Sequence, residues 1–368
     1  MRIQCLQENL QKGLVIVSKA VPAKPTLPIL SNLLIQTEGQ KLKVSATNLR
    51  LSISCWLDAI VEESGKMCIL AHLINEVVSS LPASRVDIDG QGSLLHLKCN
   101  KANTKLNTMP PEGYPIIPTI EGEAMIIGPQ QLKQAIDVTQ FAAATEQSRP
   151  ILTGASFTVQ DGKLTLATAD GYRLSVYKGL INTPDKAFTV IIPVDTLSEV
   201  AKLIGNQEEP VKVTLGSNLS QILFKLTGVE IVGQLLAGEF PQYEALIPTT
   251  HLCSATFDAS EMLAAIRVAA VFAKGSNDAV KLVSGAQCLQ ISARSESIGE
   301  YADEVQAAIE GETLKVALSS KYLIDFLSSA GKSQVIMKTT SPSNPVLFES
   351  SNIRDYKHVI MPLYVQWD

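Results

Sequence analysis

The chain repeats itself three times, and that constrains its fold more than any other feature. Leu10-Gln-Lys-Gly-Leu14, Leu132-Lys-Gln-Ala-Ile136 and Met262-Leu-Ala-Ala-Ile266 open three similar helical stretches, at offsets of 122 and 130 residues. A second helix recurs as Leu73-Ile-Asn-Glu-Val77, Leu197-Ser-Glu-Val-Ala201 and Leu323-Ile-Asp-Phe-Leu327, at offsets of 124 and 126. Between the helices, strand-like Leu42-Lys-Val-Ser-Ala-Thr47 returns as Leu164-Thr-Leu-Ala-Thr-Ala169 and as Leu289-Gln-Ile-Ser-Ala-Arg294. Arg50-Leu-Ser-Ile53 returns as Arg173-Leu-Ser-Val176.

A period this long far exceeds the roughly 20 to 50 residues of solenoids and propellers, so each unit is expected to be a domain with its own core. The 368 residues then divide as 1–122, 123–249 and 250–368. Linkers rich in Pro close the units: Pro110 to Glu123, Pro241 to His251, and a matching stretch from Asp355 to Pro362. Each unit reads as strand, helix, several strands, helix, several strands. In the first, helices are expected near 7–20 and 71–80, with strands at 30–37, 41–46, 51–56, 68–70, 85–89, 94–99 and 104–108. The fold class is α+β, three tandem copies of one domain, and tandem copies suggest a symmetric ring or arc.

Hydrophobic residues at 46% and charged residues at 18% supply several cores. No apolar run of membrane-spanning length and no signal peptide occurs, so the cytoplasm is the expected compartment. Cys5, Cys55, Cys68, Cys99, Cys253 and Cys288 form no CxxC pair, and His72, His96, His251 and His358 lie far apart. Neither zinc spacing nor a disulfide framework is present, and no cofactor or metal is expected. A net charge of −5 argues against a generally basic, nucleic-acid-coating surface. Any role on DNA must rest on where the charges lie.

Helical geometry places them. At 100° per residue, Leu10, Leu14 and Val17 share a face, and Lys12 and Lys19 lie about 180° away. Leu323, Leu327 and Ala330 form a second apolar stripe, with Lys321 and Lys332 opposite. Arg267 and Lys274 share a flank of the preceding helix, and Lys202 sits on an outer flank after Pro193. Asn75 and Ser79 take the outward face of the first unit's second helix. Singly, each lysine reads as a solvated charge; together, recurring in repeated units, they suggest a diffuse basic lining.

Four stretches carry a family resemblance: Pro25-Thr-Leu-Pro-Ile-Leu30, Ala169-Asp-Gly-Tyr-Arg-Leu174, Gly238-Glu-Phe-Pro-Gln-Tyr243 and Val359-Ile-Met-Pro-Leu363. In that order, over essentially the whole chain, they resemble the bacterial DNA polymerase III beta subunit, the sliding clamp. The resemblance implies three domains of the DNA clamp fold, each with two inner helices and outer antiparallel sheets. Two chains would join head to tail as a ring around duplex DNA. Retention by topology needs only weak, register-independent phosphate contacts, which reconciles a DNA role with an acidic chain.

The resemblance also implies a pocket for short peptides of the replicative polymerase, the clamp loader and other partners. Its matching positions are Leu152, Gly171, Tyr172, Arg173, Leu174, Pro241, Leu246, Val346, Val359, Ile360, Met361, Pro362 and Leu363. Arg173 stands out because its sequence counterpart, Arg50, lacks the preceding Asp-Gly turn. For DNA, Lys24 and Arg149 match the family's inner-rim loops; Lys12, Lys19, Lys133, Lys202, Arg267, Lys274, Lys321 and Lys332 follow from helix geometry. The ring seam is expected to join Lys101, Thr104, Lys105 and Leu106 to the partner's counterparts of Val271 and Phe272, with Glu296, Glu300 and Glu304 nearby. Two features depart from the family: Ala245 replaces a common Arg at the pocket's polar rim, and Gln366-Trp367-Asp368 extends the usual end.

Two rival classes compete with a non-catalytic clamp. An enzyme could cast Asp170, Tyr172, Arg173 and His358 as an acid–base group, but no phosphate loop, metal spacing or nucleophile elbow supports it. A structural repeat scaffold that never encircles DNA is the other.

Overall fold

The computed structural model describes residues 1–146, 148–181 and 187–366. The first third runs β1 (Arg2–Leu6), α1 (Gln7–Ser18), β2 (Asn32–Glu38), β3 (Lys41–Thr47), β4 (Leu51–Asp58) and β5 (Ile60–Glu63). It continues with β6 (Lys66–Leu70), α2 (Ala71–Ser80), β7 (Arg85–Gln91), β8 (Leu94–Cys99) and β9 (Ala102–Asn107). The middle third holds β10 (Met125–Ile127), α3 (Pro129–Asp137), β11 (Gly154–Gln160), β12 (Lys163–Ala169) and β13 (Arg173–Leu180). It closes with β14 (Phe188–Pro193), α4 (Val194–Ile204), β15 (Val211–Leu215), β16 (Gln221–Leu226) and β17 (Val229–Gln234). The last third contains β18 (Cys253–Asp258), α5 (Ala259–Ala273), β19 (Ala279–Ser284), β20 (Cys288–Ser295) and β21 (Gly299–Gly311). It ends with β22 (Lys315–Ser319), α6 (Ser320–Ala330), β23 (Gln334–Thr339), β24 (Val346–Ser350) and β25 (Tyr356–Ile360).

Two helices thus fall in each third, in the order the sequence repeats demand. The expected strands appear within a few residues of their bounds. The extra one, β5, carries the short exposed segment Ile60-Val-Glu-Glu63, which has no alternation to announce it.

The contacts gather into two compact bodies, Met1–Gln130 with Glu199–Leu235, and Gln131–Ser198 with Leu236–Asp368. The division passes through the middle repeat, because sheets run across repeat junctions. In the first body, the eight-stranded order β10-β15-β16-β17-β4-β3-β2-β6 joins first-repeat strands to middle-repeat ones through β17 on β4. A second sheet, β5-β1-β7-β8-β9, leaves β9 at its edge. In the second body, the twelve-stranded order β14-β11-β12-β13-β25-β24-β23-β18-β21-β20-β19-β22 makes the corresponding join through β25 on β13.

Helix ends are fixed locally. Asp258 caps α5, its Oδ1 accepting from the Ser260 and Glu261 amides at 2.9 and 3.0 Å. Gly331 ends α6 at φ 63°, where a side chain would be strained. Buried Leu10, Leu14 and Val17 seat α1, and the buried Gln7 amide donates to the Val78 carbonyl at 2.7 Å, tying α1 to α2. Asn75 does not face outward: its Nδ2 donates to Ser18 Oγ at 2.8 Å, so it joins the same pair of helices. Its amide nitrogen is paired there while its Oδ1 has no partner among the described residues, a placement that amphipathic periodicity alone does not register.

The hairpins correct the sequence alignment of the repeats. β3–β4 pairs Leu42 with Leu57 and Thr47 with Ser52, while β12–β13 pairs Leu164 with Gly179 and Ala169 with Leu174. Both strands therefore superpose at an offset of 122, which sets Arg50 against Tyr172 and Leu51 against Arg173. The recurrence of Arg-Leu-Ser is out of register by one residue, and one residue in a strand exchanges the two faces.

Candidate functional site: a groove at the β13–β25 join

The turn Asp170–Arg173 and the end of β25 build a groove. Asp170 Oδ1 accepts from the Tyr172 and Arg173 amides at 2.9 and 3.0 Å, forming an Asx turn. Gly171 adopts φ 96°, a backbone conformation that favours glycine, and a Cβ there would push aside the tip of the Arg149 side chain. Beyond the turn, Leu174 pairs with Val359 and Arg173 with Ile360; the Met361 amide then donates to the Tyr172 carbonyl at 2.8 Å.

The floor is apolar. Ala167, Leu174, Val176, Leu347 and Val359 form a buried cluster, with Ala169, Tyr243 and Ile247 packed against it. Around it Tyr172 is 60% exposed, Leu246 52% and Met361 39%, an unusual amount of apolar surface to leave in water. Pro362 and Leu363 are half-buried and Pro241 is exposed. Leu152 is buried in the short helix just before β11 and is not part of this cluster, whereas Val346 and Ile360 are fully buried on the alternate face of β24 and β25. Tyr243 stacks edge-on with Phe240 at 6.1 Å, and burial pushes its phenol up to about 12.

Arg173 is a brace below the surface. Only 7% exposed, it donates from Nε to Asp170 at 3.0 Å and from a terminal nitrogen to Asp325 of α6 at 2.6 Å. Its guanidinium lies 4.4 Å over Tyr322 and 5.6 Å from the Phe141 ring. Two carboxylates and two rings leave it no free charge to offer a ligand. Beneath it, His358 is completely buried, stacked on Phe326 at 5.0 Å, with Nδ1 2.6 Å from Ser175 Oγ. Burial first, and then the Arg173 charge, hold its pKa well below the ordinary histidine range. An acid–base role has no route to a substrate there.

Tyr322, Asp325 and Phe141 are absent from the sequence expectations. Tyr322 and Asp325 stand one turn apart on α6, but nothing in the chain links that flank to a residue 152 positions away. Ala245 is exposed, and the terminal Trp367-Asp368 lies outside the described residues.

The expected basic residues divide into two groups. Lys19 and Lys202 both pair with Glu199, at 3.7 and 2.7 Å, and Lys133 pairs with Asp137 at 2.6 Å. Lys12, Lys24, Arg149, Arg267, Lys274, Lys321 and Lys332 are exposed and carry no acidic partner among the described residues. Lys24 and Arg149 lie in loops, and two of the residues expected on helices lie just beyond them. Lys274 is the C-cap of α5, and Lys332 follows the Gly331 stop of α6, whose apolar stripe ends at Ala330.

At the seam positions, β9 pairs with β8 on one side only. Lys101 and Lys105 are exposed and Thr104 is half-buried, but Leu106 is 7% exposed and belongs to its own domain's core. β21 pairs with β20 through Gly299–Gln306 and with β18 only through Ala307–Gly311, so the Gly299–Gln306 segment has a free edge among the described residues. Glu296, Glu300 and Glu304 are exposed beside it, and Phe272 stacks on Tyr301 at 5.8 Å next to the half-exposed Val271.

Repeated α+β domains that share sheets across their junctions, with an apolar groove at one junction, define a class: DNA clamp proteins. Three family models match in order, described as the N-terminal, central and C-terminal domains of the DNA polymerase III beta subunit, at residues 1–118, 126–242 and 244–364. The beta sliding clamp of Bacillus subtilis is 29% identical and that of Synechocystis 28%, each match covering 99% of both chains. The crystal structure of the Bacillus subtilis sliding clamp superposes with TM-score 0.94 over 100% of both chains, at 29% identity. A Pseudomonas aeruginosa sliding clamp bound to griselimycin gives 0.93 at 26% identity, over 99% of this chain and 100% of that one. The chain belongs to the DNA polymerase III beta subunit family. It is a DNA sliding clamp, a non-catalytic processivity factor of DNA replication.

Proposed function

We propose that two copies of this chain close head to tail around duplex DNA, in the cytoplasm, and that the β13–β25 groove tethers the replicative polymerase, the clamp loader and other partners by short peptides. The domains are taken as 1–122, 123–249 and 250–368. The observation that carries the ring is a pair of unpaired strand edges on one chain. β9 presents Lys105, with Lys101 in the turn before it; the Gly299–Gln306 edge of β21 presents Glu300 and Glu304, with Glu296 adjacent. Opposite charge on complementary edges favours joining β9 of one copy to β21 of another and disfavours joining like edges. A free edge is otherwise a liability, and pairing removes it. For the groove, support comes from exposed Tyr172, Leu246 and Met361 over a preformed apolar floor, the type of surface that anchors short peptides. No helix of the described residues is long and apolar enough to cross a membrane.

The test is topological. Protein loaded on nicked circular DNA is expected to stay bound and then leave within seconds to minutes once the circle is linearised. Equal retention on circles and linear molecules identifies an ordinary binder and removes the ring.

A further inference from the structure

The groove has a counterpart at the β4–β17 join. Asn48 Oδ1 accepts from the Arg50 and Leu51 amides at 2.9 and 2.8 Å, reproducing the Asp170 turn. Leu49 takes the place of Gly171, at φ 75°. On the neighbouring strand, Leu51 pairs with Gly233 and Ser52 with Val232, and the Gln234 amide donates to the Arg50 carbonyl at 2.8 Å. The Met361 amide makes the same bond to Tyr172. Arg50 therefore stands where the first groove has Tyr172, Gln234 where it has Met361, and Val232 where it has Val359.

Side chains give the second groove a different chemistry. A cavity of 160 Å³ is lined by Leu49, Arg50, Ile116, Val232 and Gln234 among others, none of them acidic. Ile116 is 93% exposed and Leu49 49%. A leucine held in the left-handed backbone region is strained, and such strain concentrates at binding sites. Arg50 is exposed and has no acidic partner among the described residues, in contrast to Arg173 between its two carboxylates. An unneutralised guanidinium beside aliphatic surface is complementary to a carboxylate carried next to an aliphatic side chain.

We propose that the β4–β17 groove is a second docking site, which takes an extended peptide segment bearing an aliphatic anchor and an adjacent carboxylate. The likeness to the first groove borrows its reading as a peptide site, but the guanidinium of Arg50 and the exposed aliphatic side chains of Leu49 and Ile116 are independent of that reading.

The full chain, with labelled Leu, Ile, Val and Met methyls, is titrated with acetyl-Ala-Ile-Glu-Leu-Asp and with its neutral counterpart acetyl-Ala-Ile-Gln-Leu-Asn-amide. Saturable shifts are expected at Leu49, Ile116 and Val232. Loss of a charge-assisted contact is expected to weaken them about tenfold, both for the neutral peptide and in Arg50→Glu. Arg50→Lys should recover most of the binding, and Tyr172→Ala should leave it unchanged. Thermal unfolding checks that each variant is folded. Shifts confined to Leu174 and Met361 overturn the second site while leaving the first groove's reading intact. Shifts at Leu49 and Ile116 that ignore Arg50→Glu also overturn it, as does displacement of the peptide by a short DNA duplex, which would make Arg50 a phosphate contact. A response at Leu49 and Ile116 with none at Met361 supports the second site and counts against the first.

Discussion

Arg173 braces the proposed groove from below instead of offering its charge to a ligand. Its Nε and terminal nitrogen reach Asp170 and Asp325, so the turn that presents Tyr172 is tied to α6. Asp325→Ala removes one carboxylate and leaves a buried guanidinium half-compensated. Because Asp325 is partly exposed, water replaces some of what is lost, and the expected cost is about 1–3 kcal/mol in denaturant unfolding. Peptide affinity at the Tyr172–Met361 groove should fall with it, whereas Lys321→Ala on the same helix should change neither quantity. Unaltered affinity in Asp325→Ala would reduce Arg173 to a packing residue. The sequence exposes Arg173 through its Asp-Gly turn but hides what it does, because its partner is 152 residues away and α6's apolar stripe gives Asp325 no special place. The match of Arg50 to Arg173 misleads for a related reason: residue identity recurs one position from where the hairpin register puts it.

Elements are more legible than residues, for a physical reason. α1, α2 and the hairpins around them follow from apolar spacing, since each must bury one face, and burial repeats with the period of the backbone. β5 escapes because four mostly exposed residues have no face to bury. Seam residues are intermediate. The charges of Lys105 and Glu300 can be read directly, but only the strand pairing shows that β9 and the Gly299–Gln306 segment are edges, and that Leu106 points inward. The burial of Leu106 decides which substitutions report on association. Leu106→Asp would bury an unpaired carboxylate and unfold the first domain, so it does not report on association. Lys105→Glu acts on the surface and should weaken the dimer about tenfold in sedimentation equilibrium. Adding Glu300→Lys to the same chain reverses both edges and should restore most of the lost affinity; a double variant weaker than the single one would place the seam elsewhere.

At the scale of the whole molecule, salt separates holding from enclosing. A protein bound to duplex DNA by 6 to 10 phosphate contacts loses about 10³ to 10⁵ in affinity between 50 and 200 mM salt. A closed ring is held by its own seams, so its lifetime on a circle is set by ring opening. Salt then acts on the opposed charges of the seam, which are screened beyond about 10 Å at 0.1 M. Lifetimes on nicked circles are therefore expected to shorten with salt in the unmodified protein, but with a dependence that Lys321→Ala and Arg267→Ala leave unchanged. Removing seam charge with Lys105→Gln and Glu300→Gln should flatten it. Loss from linear DNA should stay fast at every salt concentration, since open ends bypass the seam altogether. The measurement is the decay of labelled protein on single circles across 50 to 200 mM salt. If the Lys321 and Arg267 variants set the salt slope and the seam variants do not, phosphate contacts hold the protein, and the acidic chain must bind DNA by a local basic surface after all.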